Sequence, residues 1–301
     1  MKPTLVILAA GMGSRYGSMK QTESFGPSGE TITDYSIYDA ARAGFGKILF
    51  VISPKMEEEF VTDYVKKFPS NLEIDYVLQS VHTIPGGFQV HPERVKPWGT
   101  AHAVLMAKDK IPASFAVINA DDFYGRTAYT TMCDFLVATE NNNPPEFGLA
   151  GYPVLNTLSE HGAVSRGVCK LDKDGYLTEI YERTKILKSG GRIVFTDEGF
   201  EQEIPEDSMV SMNLFGFSKV FFEKMGAYFK EFLQENSMNP KAEIYLPLVV
   251  QRMIDEGVAR TKVLRTDEQW FGVTYKEDRP HVLKILNKLI TEGAYPDNLW
   301  G

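Results

Sequence analysis

Cysteine is scarce in this chain: Cys133 and Cys169 are its two thiols in 301 residues. Two cysteines build neither a disulfide framework nor a structural metal site, so the fold must rest on its hydrophobic core. A reducing, cytoplasmic setting is the expectation. Basic charge is short as well. Thirty-two Lys and Arg against 40 Asp and Glu leave a net charge of −8. That balance argues against the basic face a nucleic-acid partner needs, and any cationic function must be concentrated locally. No apolar run approaches the ~18 residues of a membrane span. The opening residues MKPTLVILAAG have the apolar content of a secretion signal. They pass at once into a segment of glycines and an arginine with no cleavage-like pattern, and so read as a first core strand. Internal repeats, low-complexity tracts and linker-like stretches are missing, as is the hexapeptide repeat of a β-helix tail. None of His82, His91, His102, His161 and His281 sits in a recognisable triad.

What is present is a large apolar share, 43% of residues, enough for a sizeable core. The first half alternates strand and helix patterns. LVILAA (5–10), KILFVIS (47–53), IDYVLQ (74–79) and SFAVINADD (114–122) read as strands, the first continuous enough to be buried on both faces. Between them, Ile37, Tyr38 and Ala41 share a helical face behind a capping Asp34, with Gly44 and Gly46 as the stop. Phe60, Tyr64 and Phe68 also keep helical spacing, residues 100–109 and 128–141 form further helices, and 82–99 is a Pro/Gly-rich loop. Repeated βα units predict an α/β fold with a parallel sheet. The second half predicts strands at 147–154, 167–172, 176–184, 191–196, 209–217 and 262–266. Helices are expected at 219–235, 242–256 and 278–293. Asp172–Lys173–Asp174–Gly175 is a hairpin signal. No domain boundary is evident: one domain (1–301) is expected, with one half to about 145 and the other from about 146.

The richest segment is LVILAAGMGSRYGSMK, residues 5–20. A buried strand delivers a tight loop to the carboxyl edge of a sheet, where open α/β sheets bind ligands. Gly11, Gly13 and Gly17 allow sharp turning and exposed N–H groups. Arg15 and Lys20 add positive charge, so the loop is suited to hold phosphate.

Leu8–Ala9–Ala10–Gly11–Met12–Gly13–Ser14–Arg15, followed by Lys20–Gln21, resembles the signature of the sugar-phosphate nucleotidylyltransferases. Further matches follow in order to about residue 250. The resemblance implies a Rossmann-like, GT-A-like open mixed sheet, mostly parallel, with helices on both faces and a small β-rich sugar-binding sub-domain. It implies transfer of a nucleotidyl group from an NTP to a sugar 1-phosphate with release of pyrophosphate. By that likeness Leu8, Ala9, Ala10, Gly11, Gly13 and Ser14 bind the nucleotide, and Arg15 and Lys20 are catalytic. Gln79 and the segment Trp98–Gly99–Thr100–Ala101 meet the base. Gln79 is compatible with uracil or thymine, favouring UTP or dTTP, without excluding guanine or cytosine. Asn119–Ala120–Asp121–Asp122 resembles the family's metal motif, with Asp121 as the Mg²⁺ ligand and catalytic residue and Asp122 either a second ligand or a cap for the next turn. Arg166–Gly167–Val168 and Ile180–Tyr181–Glu182–Arg183–Thr184 resemble the sugar-phosphate cradle. There Gly167, Glu182 and Arg183 would touch the acceptor, with Lys185 a competing cation. Met212–Asn213 and Glu243–Ile244–Tyr245–Leu246 resemble later sugar-side segments.

One departure stands out. Relatives carry a second metal aspartate in Trp-x-Asp-x-Gly-Thr, and the nearest match here is Trp270–Phe271–Gly272–Val273–Thr274, with glycine in its place. Asn213, Asp267 and Asp278 are the candidate substitutes, Asn213 first. Gly272 also motivates a second reading, a non-catalytic nucleotide or sugar-phosphate sensor. Transfer to a non-sugar acceptor such as phosphocholine is a third. A dinucleotide-binding oxidoreductase fits less well, because the second strand ends Ser53–Pro54–Lys55 rather than in an acid. A metal-dependent glycosyltransferase leaves Arg15 and Lys20 unexplained.

Overall fold

Short apolar runs set the centre of the molecule. In the computed structural model, which describes residues 1–11, 24–159, 161–197, 199–272 and 278–301, four such runs become parallel strands. They are β1 (Thr4–Leu8), β2 (Lys47–Ile52), β3 (Ile74–Leu78) and β4 (Phe115–Asn119), in the spatial order β3-β2-β1-β4. Successive side chains of a strand point to opposite faces. Leu5, Ile7, Ile48, Phe50 and Ile118 therefore enter one core cluster, and Val6, Leu49, Val51 and Val117 the other. Both faces are covered by helices, which is why these runs are continuous rather than alternating.

The first cluster is closed by α1 (Ile32–Ala43), by short helical turns over residues 54–67, and by α3 (Arg126–Thr139), which follows α2 (Thr100–Met106) in the chain. The second is closed by α2, α4 (Val220–Asn236) and α5 (Leu246–Asp255). Each fully buried Phe or Leu in them contributes roughly 1.5–3 kcal/mol. Asp34 is not the cap of α1. Thr31 is, and its N–H donates to Asp34 Oδ2 at 2.7 Å, the reciprocal half of a capping box. Gly44, at φ 107°, closes the other end.

Beyond β4 the chain forms β5 (Asp122–Phe123), β6 (Glu146–Pro153), β7 (Val164–Leu171), β8 (Leu177–Ser189), β9 (Arg192–Asp197), β10 (Phe200–Ile204) and β11 (Met209–Phe217). Then come β12 (Arg260–Arg265), β13 (Phe271–Gly272) and α6 (Arg279–Thr291). Strands β7 to β10 extend the same mixed sheet as antiparallel neighbours, in the path β10-β9-β8-β7-β11-β4-β1-β2-β3, with β6 beside β11 and β12 beside β6. The expected hairpin turn at Asp172–Gly175 joins β7 to β8, with Gly175 at φ 76°. Three expectations need correction. The strand expected from 167 begins at Val164, the one expected to end at 184 continues to Ser189, and β10 was not expected. Among the described residues no helix is long and apolar enough to cross a membrane.

Candidate active site

Strand β11 changes partner halfway along one edge, and the change opens a cleft. Its carboxyl half pairs with β4 (Phe215 with Val117), and its amino half pairs with β7 (Ser211 with Gly167). Between them the register shifts, and Asn213 sits at φ 66°. That left-handed conformation is one asparagine tolerates better than most side chains. A sheet opens to ligands where neighbouring strands part. Here the gap is a cavity of about 210 Å³ whose lining includes Asn119, Asp122, Arg166, Gly167, Glu182 and Asn213. Gly167 keeps the strands close, since a Cβ there would lie 2.8 Å from Ile180 Cγ2. Trp270 completes the wall and is shared with a larger cavity of about 440 Å³, as is Arg166.

The acidic turn after β4 is pinned from two sides. Thr33 Oγ1 donates to Ala120 O at 2.6 Å, and Ser36 Oγ to Asp122 O at 3.3 Å, so α1 sets the turn. The buried Tyr124 hydroxyl accepts from Asn119 N–H at 3.1 Å and lies 3.2 Å from Asp122 Oδ2 and 3.0 Å from Met212 O. This ties the end of β4 to the irregular step in β11. Asn119 Nδ2 also donates to Asp122 Oδ2, at 2.9 Å. Burial raises the Asp122 pKa, and the neighbouring Asp121 raises it further. Burial likewise raises Glu182 and lowers Arg166. Arg166 is held by the carbonyls of Ser165 and Thr157, and its guanidinium carbon lies 4.6 Å from the Trp270 ring centroid. Among the described residues, its Nε and the Trp270 Nε1 are buried with no hydrogen-bond partner.

Gly272 bears directly on this turn. It pairs with Asp122 across β5 and β13, and a Cβ at 272 would stand 2.8 Å from Asp122 Oδ1. The glycine thus leaves room for the Asp122 carboxylate. A hard dication takes oxygen ligands, often one or two carboxylates with the rest from phosphate and water. Asp122 and Asn213 offer that donor chemistry in the cleft lining, with Asp121 on the adjoining turn, and a cation there would offset the cost of burying the Asp122 charge. Among the described residues no group of three or more His, Cys, Asp or Glu could hold a metal, so substrate oxygens would have to complete the shell.

The segment expected to meet the base forms a separate corner at the end of β3. Gln79 is buried, and its Nε2 donates to Gly99 O at 3.0 Å. Gly99 has φ 99°, and a Cβ there would lie 2.4 Å from Ile244 O. Ala101 N–H donates to that same carbonyl at 3.1 Å, and Leu246 N–H donates to Thr100 Oγ1 at 2.9 Å. Glu243–Leu246 is thereby clamped against Trp98–Ala101.

The structure therefore brings Asp122, Gly167, Glu182 and Asn213 to one cleft, with Asp121 on the adjoining turn. Leu8 and Ala9 stand beside it at the end of β1, where Ala120 N–H donates to Leu8 O at 3.3 Å. Ala10 and Gly11 follow, half-buried and exposed. Gly13, Ser14, Arg15 and Lys20 lie outside the described residues. Arg183 is not part of the cleft: it alternates away from Glu182 and lies over the rings of Phe195 and Tyr181, at 4.7 and 5.2 Å. Among the described residues, the guanidinium that lines the cleft is that of Arg166. Tyr124 and His102 had no motif to announce them, because their contacts are long-range. Arg166 stood in the Arg166–Gly167–Val168 match, but with no role of its own assigned to it.

The fold is shared with several solved structures. HddC from Yersinia pseudotuberculosis superposes with a TM-score of 0.55 at 16% identity, over 95% of this chain and 100% of that one. The inositol-1-phosphate CTP transferase from T. maritima gives 0.62 at 14%, over 96% of each. A putative glucose-1-phosphate thymidylyltransferase from Bacillus anthracis, in complex with a sucrose, gives 0.60 at 12%, over 94% of each. No curated protein matches the sequence. The profile of the nucleotidyl transferases matches residues 4–273. By that match the chain is an enzyme of the nucleotidyl transferase family, the sugar-phosphate nucleotidylyltransferases that its opening motif resembles.

Proposed function

We propose that this enzyme moves the nucleotidyl group of an NTP, UTP or dTTP first among the candidates, to a sugar 1-phosphate. The observation that carries this reading is the polar cleft where β11 passes from β4 to β7. It places an acidic turn, an amide and Glu182 within one cavity, next to the end of β1. A phosphate oxygen of the acceptor attacks the α-phosphorus in line. An O–Pα bond forms, the bond from Pα to the bridging oxygen breaks, and pyrophosphate leaves with the electron pair. The nucleophile is already an anion, so no general base and no covalent enzyme intermediate are needed. Catalysis is positioning and charge stabilisation.

Within that reading, the N–H groups of Gly11, Gly13 and Ser14, with Arg15, hold the β- and γ-phosphates. Lys20 would lower the repulsion between the phosphates of the two substrates. Gln79, Gly99 and Thr100 form the base side. Glu182 accepts hydrogen bonds from sugar hydroxyls over Gly167, and the fixed charge of Arg166 takes the part first assigned to Arg183. Mg²⁺, held by Asp121 with Asn213 and Asp122, would neutralise charge between the two sets of phosphates.

The test is a grid of five nucleotides (UTP, dTTP, GTP, CTP and ATP) against glucose, mannose and N-acetylglucosamine 1-phosphates, inositol 1-phosphate and phosphocholine. Pyrophosphate and product mass are read with and without Mg²⁺. The expected result is Mg²⁺-dependent pyrophosphate and a nucleotide-sugar mass with a sugar 1-phosphate. Release with phosphocholine or inositol 1-phosphate alone would move the acceptor outside the sugars.

A further inference from the structure

Gln79 has two amide hydrogens, and both are spoken for. One points to Gly99 O at 3.0 Å, and the other to Nδ1 of His102 at 3.2 Å. The histidine's role in that contact follows from its far side. His102 Nε2 lies 2.9 Å from Thr83 O, and a carbonyl only accepts, so Nε2 carries the proton and Nδ1 is a bare acceptor. The ring is fully buried, 4.7 Å between centroids from Phe229. Turning the Gln79 amide over would set its oxygen against two acceptors at once. Its orientation is therefore fixed: nitrogen inward, oxygen outward. No described residue donates to that oxygen.

We propose that His102 is a positioning residue that presents the Gln79 oxygen as a pure acceptor to the nucleobase, so that the pocket selects bases carrying a ring N–H. The inference rests on the reading of Gln79 as the base-side residue. A free glutamine amide can match either a donor or an acceptor edge; one locked by His102 and Gly99 cannot. At the centre of the Watson–Crick edge, uracil, thymine and guanine carry an N–H, whereas cytosine and adenine carry a lone pair. The first group gains a hydrogen bond to the Gln79 oxygen, and the second meets repulsion. No triad surrounds His102, and its part here is indirect.

The test is calorimetric binding of UTP, dTTP, GTP, CTP and ATP, each with Mg²⁺, to the wild type, His102→Phe and Gln79→Ala. Phenylalanine keeps the ring packed against Phe229 and deletes the acceptor. The wild type should bind its best ring-N–H nucleotide at least about tenfold more tightly than CTP or ATP, the value of one good hydrogen bond. His102→Phe should narrow that ratio severalfold, and Gln79→Ala should abolish it. If His102→Phe keeps the ratio while Gln79→Ala loses it, His102 only packs, and the inference fails while the reading of Gln79 stands. If Gln79→Ala keeps it too, Gln79 does not read the base, and both fall. A wild-type preference for CTP or ATP also overturns the inference. Should His102→Phe not fold, the wild type still decides: methylating the ring nitrogen of the preferred nucleotide should weaken binding at least about tenfold, and unchanged binding refutes the proposal.

Discussion

His102 is buried with its ring neutral, which makes it an acid-sensitive point in the fold. Burial pushes its pKa down to about 4 from the ordinary 6.5. Between these values the unfolded chain binds a proton that the folded chain excludes. Its contribution is therefore fully present above pH 6.5 and is lost as pH falls toward 4, a change of about 3 kcal/mol. Urea unfolding of the wild type and His102→Phe at pH 7.5 and pH 4.5 isolates this term by difference. The wild type should lose more stability on acidification than the variant, and parallel losses would mean that the ring is not held neutral. Asp39 acts in the opposite sense. Its pKa is raised to about 7 by burial, against the hydrogen bond from Tyr295, so the folded chain holds its proton longer than the unfolded one. This is why the comparison must be made against the variant. Strand alternation also explains a residue-scale correction. Glu182 and Arg183 are adjacent in sequence and so face opposite ways, a consequence that the motif resemblance had overlooked.

At the scale of elements, the decisive joint is the clamp between residues 98–101 and 243–246. Gly99 is the position where a side chain fits neither the backbone angle nor the space. Gly99→Ala should cost about 1–3 kcal/mol from the backbone conformation alone, and more from the approach to Ile244 O. It should also weaken nucleotide binding, because the carbonyl that orients Gln79 would move. Thermal unfolding and nucleotide titration check this; a variant of wild-type stability would show that the clamp can relax. Much of this layer was legible beforehand. β1, β2 and β4 were readable because burial on both faces makes their runs continuously apolar, whereas β3, half-buried at the sheet edge, was readable despite Asp75 in its run. α1 was recognisable, but its cap was misassigned by three residues, because Thr31 and Asp34 are both good caps and only the hydrogen bond tells them apart. β10 was not readable. In FEQEI four of five residues are exposed, so neither continuity nor alternation marks it. The 54–67 segment kept its helical spacing yet breaks into short turns, which the pattern of Phe60 and Tyr64 does not distinguish from one helix.

Over the whole molecule, the sheet carries function by where its strands part. The cleft depends on the pairing of β11 with both β4 and β7, contacts separated by tens of residues or more, which no local signal encodes. Its acidic turn and Gly167 are nonetheless among the residues that the motifs single out, and Gly272 has a physical meaning, since it leaves the space that Asp122 uses. Residues after the matched region also matter to the architecture. Tyr295 donates to Asp39 Oδ2 at 2.7 Å, and Tyr295 and Leu299 pack with Phe25, Tyr35 and Phe123 in a third core cluster, next to the segment that leaves the glycine-rich loop. Whether this architecture moves a nucleotidyl group between phosphates is decided by following the α-phosphorus of an α-labelled NTP incubated with Mg²⁺ and a sugar 1-phosphate. The label should appear in a nucleotide-sugar in equal amount to the pyrophosphate released, and Asp121→Asn should stop both. Label that stays in NTP, or that appears only as free nucleoside monophosphate, across all the nucleotides and sugar phosphates of the grid would contradict such a transfer.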